Sequence, residues 1–124
     1  MNLKELLKDK GRLKENLGMY VLKSGIFDDL LKTRRHSAQQ IVLMRMEEKI
    51  FSMSETEIIE YFDTTNMHAV ITVFADDTEG DRFVKYGFDI KKTNGDLLSG
   101  TSPAWDTRKE ATVKCVEKLI ELSN

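Results

Sequence analysis

The chain has 124 residues, of which 40% are hydrophobic and 32% are charged, and its formal net charge at pH 7 is −2. This length and composition predict one globular domain, residues 1–124, and the single proline and seven glycines exclude a low-complexity linker. The small net charge argues against indiscriminate binding to nucleic acid, and the absence of about 18 consecutive apolar residues argues against a membrane span.

The two parts of the chain differ in charge. Residues 1–53 contain 11 basic and 7 acidic residues, a net charge of +4. Residues 54–124 contain 8 basic and 14 acidic residues, a net charge of −6. Opposite charges attract, so the two parts either dock on each other or orient a partner, and mutual docking needs nothing outside the chain.

The cysteine count and the first residues indicate a compartment. Cys115 is the single cysteine, so an intrachain disulfide is excluded. Residues 1–5 alternate charge with leucine and lack the apolar region of a secretory signal. We therefore expect a cytoplasmic protein that has no membrane partner.

The first part of the chain is predicted to be mainly helical. Leucines at helical spacing predict an amphipathic helix over residues 2–16, weakened near Gly11. A short apolar run bounded by glycines predicts a strand or an extended connector over 18–25. Helical spacing returns within 26–35, and residues 38–52 predict a long helix with a wide apolar sector.

The wide apolar sector includes methionines. Met44 and Met46 lie in the long helix, and Met53 follows it. Methionine side chains adapt to irregular surfaces, so these three residues are candidates for self-association or for contact with a protein partner. Core packing within the monomer is the commoner alternative.

The second part of the chain changes from helical to strand periodicity. The capping box Ser54-Glu55-Thr56-Glu57 predicts a helix that begins at residue 54 and ends near 64. Alternating residues rich in β-branched and aromatic side chains predict strands over 68–74, 83–90 and 96–100. Asn94-Gly95 predicts a two-residue hairpin turn between the last two strands.

A second capping box, Thr107-Arg108-Lys109-Glu110, begins the last predicted helix. Its apolar stripe must cover a face of the sheet and contains Ala111, Cys115, Leu119 and Leu122. The expected fold class is therefore α+β, a three-stranded antiparallel sheet with helices packed on one face. The mainly helical residues 1–53 precede this α-β-β-β-α part, residues 54–124.

Groups suited to catalysis or metal binding are sparse. His36 and His68 have no neighbouring Cys, Asp or Glu at the spacing of a zinc site, and Cys115 lies on an apolar stripe. The acidic segment 76–81 fails as a calcium loop, because Arg82 takes the place of the glycine and Phe88 that of the final glutamate. We predict no enzyme, no cofactor and no bound metal.

Two further features have alternative interpretations. Arg34 and Arg35 lie in the densest basic run, which either contacts phosphates or an acidic partner, or places cations at a helix C-terminus. Trp105 follows Pro103 just before the last helix. It either anchors that helix as a hydrophobic staple or presents an aromatic contact at an interface.

The order helix, three antiparallel strands, helix over residues 54–124 resembles the double-stranded RNA-binding domain. Arg108-Lys109-Glu110-Ala111-Thr112 stands where that family has Lys-Lys-x-Ala-Lys, and two apolar pairs follow it in both, here Cys115-Val116 and Leu119-Ile120. The resemblance implies that Arg108 and Lys109 contact phosphates flanking the major groove of RNA. The layout is also similar to small proteins encoded by phages and mobile elements.

Two functional hypotheses follow. The first is a non-catalytic accessory or adaptor protein that acts through protein–protein contacts, as a homodimer or with another protein. The second is binding of structured RNA through Arg108 and Lys109, with Arg34 and Arg35 as further contacts.

Overall fold

The computed structural model describes residues 1–32, 36–76 and 83–123. Within these ranges four helices come first, followed by a fifth helix, three strands and a final helix. Their bounds are α1 Leu3–Leu6, α2 Gly11–Lys23, α3 Asp28–Leu31, α4 His36–Phe51, α5 Glu55–Asp63, β1 His68–Asp76, β2 Phe83–Lys91, β3 Leu97–Gly100 and α6 Arg108–Leu122. In this part of the chain, no helix combines the length and the apolar character that crossing a membrane requires.

The chain divides into two compact units. The helical unit comprises residues 1–54 together with Ser123, and the sheet unit comprises residues 55–122. The helical unit contains α1 to α4, and the sheet unit contains α5, the three strands and α6. The predicted α+β fold class is confirmed, with a helical N-terminal half and a three-stranded antiparallel sheet.

The first predicted helix is two helices separated by residues 7–10. Asn2 caps α1, because its side-chain oxygen accepts a hydrogen bond from the Glu5 amide at 3.2 Å. The chain then turns, and α2 begins at Gly11, where the sequence indicates a weak point. The helix predicted within 26–35 is present in its middle as the short α3.

The extended segment predicted over residues 18–25 is wrong, because α2 continues to Lys23. Glycine has a low helix propensity, but because Gly18 has no side chain, α4 can pack closely against α2 at this position. A Cβ built on Gly18 would lie 3.2 Å from the Met46 Cε. The packing of α2 against α4 therefore extends the helix, with a buried stripe at i, i+4 spacing formed by Leu13, Leu17 and Val21.

The predicted long helix over residues 38–52 is confirmed as α4, which contacts α1, α2 and α3. Its buried stripe contains Ala38, Val42 and Ile50. Other apolar side chains of the same helix are solvent-exposed, namely Ile41, Leu43 and Met44. The wide apolar sector is thus present, and it is wider than packing within the helical unit uses.

The three strands form one antiparallel sheet in the order β1-β2-β3, and all three match the predicted segments. β1 and β2 pair without interruption over nine residues, from His68 opposite Lys91 to Asp76 opposite Phe83. Side chains alternate along a strand, and directly opposed residues share a face. Ile71 opposite Phe88 therefore defines one face, and Thr72 opposite Gly87 defines the other.

The face that carries Phe88 and Ile90 is covered by α5 and α6, and we call it the covered face. The apolar residues of α6 on this side are at most 2% exposed, and they are Ala111, Cys115, Val116, Leu119 and Ile120. Ile58 and Phe62 of α5 are equally buried. The opposite face, which carries Thr72 and Gly87, is called the open face.

The turn between β2 and β3 is longer than predicted. The Gly95 amide donates to the Lys92 carbonyl at 2.9 Å, and the Lys92 amide donates to the Asp96 carbonyl at 2.8 Å. Gly95 has φ +95° and the loop contains three residues, Thr93 to Gly95. Three-residue hairpin loops commonly contain a residue of positive φ, usually glycine. The prediction of a two-residue loop is therefore wrong.

The buried α6 stripe gives a test of the fold. Leu119 is fully buried, so Leu119→Ala removes packed methyl groups and leaves a cavity. We expect the free energy of unfolding to fall by about 2–5 kcal/mol in urea titrations followed by circular dichroism. Leu97→Ala is the matched control because Leu97 is 60% exposed, and we expect its cost to stay below about 1 kcal/mol. Equal costs for the two variants would contradict the assigned core.

Candidate functional site

The most distinctive surface lies along the β1–β2 hairpin. Five large apolar side chains there are between 43% and 56% exposed, namely Val70, Val73, Phe74, Phe83 and Val84. We call these residues the hairpin surface. Val73 and Val84 project to the covered face, and Val70, Phe74 and Phe83 project to the open face, so both faces of the hairpin contribute.

The two phenylalanines form an ordered pair. Their ring centroids are 6.0 Å apart and the ring planes make an angle of 72°, an edge-to-face contact. The Lys85 ammonium lies 5.6 Å from the Phe83 ring centroid and forms an ion pair with Asp106. Lys85, which borders the hairpin surface, is thus paired with a carboxylate.

Trp105 is placed by the sheet. Its carbonyl accepts from the Tyr86 amide at 2.8 Å, so the chain before α6 continues the pairing along β2. The indole stacks on Phe88 with ring centroids 5.7 Å apart and an angle of 14° between the planes. The half-buried Trp105 therefore fastens the segment that leads into α6 to the covered face of the sheet.

The predicted capping box at the start of α6 is present in part. The Glu110 amide donates to the Thr107 hydroxyl oxygen at 3.1 Å, and the Thr107 hydroxyl donates to the Glu110 carboxylate at 3.2 Å. Lys109 is exposed, and the exposed Arg108 has its guanidinium 5.3 Å from the Tyr86 ring centroid. An open depression beside them is lined by Trp105, Thr107, Lys109, Glu110, Val113 and Lys114.

The cations of the sheet unit are mixed with carboxylates. On α6, Lys114 pairs with Glu117 and Lys118 pairs with Glu121. Thr112 stands where the RNA-binding family has its third basic residue, and its hydroxyl donates to the Arg108 carbonyl at 2.8 Å. Arg108 and Lys109 are therefore brought together at one helix end, within a surface of mixed charge.

The predicted methionine surface is split by the fold. Met44 is 67% exposed, whereas Met46 is half-buried beside Gly18 and Met53 is 4% exposed. Arg34 and Arg35 lie outside the described residues, as does the acidic loop after Asp76. The structure thus places one of the three methionines, Met44, where another molecule has access to it.

His68 has polar neighbours that no sequence motif indicates. Its Nδ1 lies 3.0 Å from a carboxylate oxygen of Asp63, and its Nε2 lies 2.9 Å from the Thr93 hydroxyl. The Thr93 amide in turn donates to the Asn66 side-chain oxygen at 2.8 Å. Folding alone brings these groups together, because they come from the end of α5, the start of β1 and the β2–β3 turn.

A carboxylate, an imidazole and a hydroxyl that are hydrogen-bonded in this order are the groups of a catalytic triad, in which the hydroxyl oxygen is the nucleophile. Here the side chains of Asp63 and His68 are 49% and 35% exposed, and Thr93 is exposed. Water reaches all three members, so their hydrogen bonds compete with solvent rather than acting in a low-dielectric site. The arrangement joins the α5–β1 turn to the β2–β3 turn.

Cys115 is fully buried in the stripe of α6, as its position in the sequence predicts. Burial removes water from the thiolate and raises the pKa of the Cys115 thiol from 9.0 to about 12. A thiol that stays protonated at neutral pH is a poor nucleophile and a poor metal ligand. Across the part of the chain that the structure describes, no three His, Cys, Asp or Glu side chains are placed to hold a metal ion.

Comparison of the chain with protein-family models, curated proteins and solved structures finds no match. The hairpin surface is the candidate site that sequence reasoning missed. Its signal was present in β1, where Val70, Ile71, Val73 and Phe74 place apolar side chains on both faces of a strand.

The buried thiol gives a second test. At pH 8 we expect a thiol reagent to modify Cys115 slowly in the native protein and rapidly in guanidinium, because the native thiol is buried and protonated. Met44→Cys combined with Cys115→Ala is the matched control, since residue 44 is exposed and should react without unfolding. Equally fast modification of Cys115 in the native state would contradict its burial.

The same thiol links stability to pH. Its folded-state pKa lies above its unfolded-state value, so its contribution is fully present below about pH 9 and is lost as the pH rises toward about 12. Comparison with Cys115→Ala by denaturant unfolding at several pH values isolates this effect. The wild-type protein should lose more stability over that range than the variant.

Proposed function

We propose that this protein is a non-catalytic accessory module that binds protein through the hairpin surface. The observation that carries the proposal is the exposure of Val70, Val73, Phe74, Phe83 and Val84 on one hairpin of a regular, well-paired sheet. Several large exposed apolar side chains on one element of a folded protein are a feature of interaction sites, because another surface gains free energy by covering them.

The character of the polar groups supports a binding role. Cys115 is held protonated inside the core, and the Asp63, His68 and Thr93 side chains are open to water. A lone thiol also suits the reducing cytoplasm, where we place the protein. Phe74 and Phe83 contact each other edge to face, and side chains that already pack together lose less conformational entropy on binding.

Affinity capture tests the proposal. The purified chain is immobilised and exposed to cytoplasmic extract, and bound proteins are quantified for the wild type and for Phe74→Lys combined with Val70→Lys. We expect the double variant to lose the specific partners, because two cations replace exposed apolar area on the open face.

Met44→Lys serves as the matched control, since it changes an exposed apolar residue of the helical unit by the same chemistry. Circular dichroism verifies that all variants fold. Retention of every partner by the Phe74 and Val70 variant would refute the hairpin surface. Loss of partners in Met44→Lys alone would move the interface to α4.

A second candidate function is binding of structured RNA. The observation that favours it is the placement of α5 and α6 on one face of a three-stranded sheet, with Arg108 and Lys109 exposed in the first turn of α6. Lys109 and Lys114 also flank the depression beside Trp105. Against it stands the excess of acidic residues in the sheet unit, because RNA binders concentrate basic side chains.

A gel-shift titration with duplex RNA decides between the two functions. RNA binding predicts a complex at micromolar protein that weakens steeply with added salt and is reduced by Lys109→Glu. Lys23→Glu, at the end of α2 in the helical unit, is the charge-matched control. No salt-sensitive shift at micromolar protein would dispose of the RNA function.

A further inference from the structure

We infer that the edge of β1 pairs with the β1 edge of a second copy of this chain, in an antiparallel register centred on Thr72. The inference rests on the proposed function and names the partner of the hairpin surface. The dimer would contain one continuous six-stranded sheet in the order β3-β2-β1-β1-β2-β3, with the open faces of both copies on the same side.

The first observation is that β1 is an edge strand of the sheet. Among the strands that the structure describes, β1 pairs with β2 on one side and with no strand on the other. Its pairing with β2 is regular over all nine residues, without a bulge. Residues 69–75 contain no charge, proline or glycine, which are the usual devices that keep an edge strand from adding another strand.

The second observation is where the exposed apolar side chains lie. Val70, Val73 and Phe74 of this edge strand are each about half exposed and project to both faces of the sheet. A partner that covers one face of the sheet would leave the other face bare. A strand that adds to the edge extends both faces at once and brings apolar neighbours to each of them.

The third observation is that the strand is complementary to itself. A two-fold axis perpendicular to the sheet places the open faces of both copies on the same side, so each residue must lie opposite a residue of the same face. Side chains alternate along a strand, so two residues of β1 share a face only when their numbers are both even or both odd. The register centred on Thr72 is the one of this kind that pairs all nine residues of β1. It gives the pairs Thr72–Thr72, Ile71–Val73, Val70–Phe74, Ala69–Ala75 and His68–Asp76.

Neighbouring registers fit less well. Centring on Val73 places Asp76 opposite Val70, so a carboxylate faces an exposed apolar side chain. Centring on Ile71 places Phe74 opposite His68 and leaves Asp76 beyond the end of the partner strand. In the register centred on Thr72, apolar residues meet apolar residues, and each carboxylate lies opposite a histidine rather than another carboxylate.

Sedimentation and cross-linking test the inference. A nine-residue edge makes a small interface, so we expect reversible dimerisation within about 1 µM to 1 mM protein, with little dependence on salt. Val73→Lys should abolish the dimer, because it places cations beside the apolar Ile71 of the second copy. Met44→Lys should leave the dimer unchanged.

Disulfide formation between introduced cysteines, in a Cys115→Ala background, reports the register of the two strands. Opposed residues have Cα atoms about 4.5–5.5 Å apart, within disulfide range, so Thr72→Cys should oxidise to a covalent dimer. Val70→Cys is the control, because its two copies would lie about 13 Å apart along the strands and should cross-link far more slowly.

A wild-type chain that stays monomeric at 1 mM, or equal cross-linking of the two cysteine variants, overturns the inference. The proposed function fails separately. A monomer that still captures a protein through the hairpin surface refutes self-pairing alone, whereas a dimer whose hairpin variants capture the same proteins as the wild type refutes the adaptor function alone.

Discussion

The packing of α6 against β2 is the interaction on which the rest of the sheet unit depends. Three antiparallel strands need an apolar face and a covering layer to be stable in water. Here the covering stripe of α6 is almost completely buried, and Phe88 and Ile90 supply the sheet side of the same core. The stacking of Trp105 on Phe88 and the capping of α6 by Thr107 fix where that helix starts.

Helix α6, which packs on the covered face, is shorter than strands β1 and β2. A helix of 15 residues is about 22 Å long, whereas a strand of nine residues reaches about 30 Å. Burial on the covered face accordingly falls along β2, from 0% exposure at Ile90 to 43% at Val84. The exposure of Val73 and Val84 is therefore a consequence of the unequal reach of helix and strands, whereas Val70, Phe74 and Phe83 project to the open face, away from α6.

The polar side chains of the sheet unit differ in their exposure to water. The most nucleophilic group of the chain, the Cys115 thiol, is placed where burial keeps it protonated. The Asp63, His68 and Thr93 groups are aligned but exposed to water. Shielding from solvent strengthens the electrostatic interactions of a catalytic group, and the aligned Asp63, His68 and Thr93 groups lie in contact with water. The exposed apolar side chains of the hairpin surface are the basis of the proposed binding role.

Most of the secondary structure was determined by local sequence, because capping residues and side-chain periodicity act over a few residues. The helix after Ser54, the three strands, the Thr107 cap and the buried stripe through Cys115 all follow from such patterns. Where a local signal conflicted with packing, packing prevailed. Gly18 suggested a break, yet contact with Met46 of α4 keeps α2 helical through it.

Tertiary structure alone decided which apolar residues stay exposed and which polar groups meet. The sequence grouped Met44 with Met53, and the fold exposed the first and buried the second, because burial depends on which face another element covers. It likewise brought Thr93 to His68, twenty-five residues away, and left Phe74 exposed on the open face. Periodicity specifies the faces of an element, whereas the length and position of its neighbours determine how much of each face is covered.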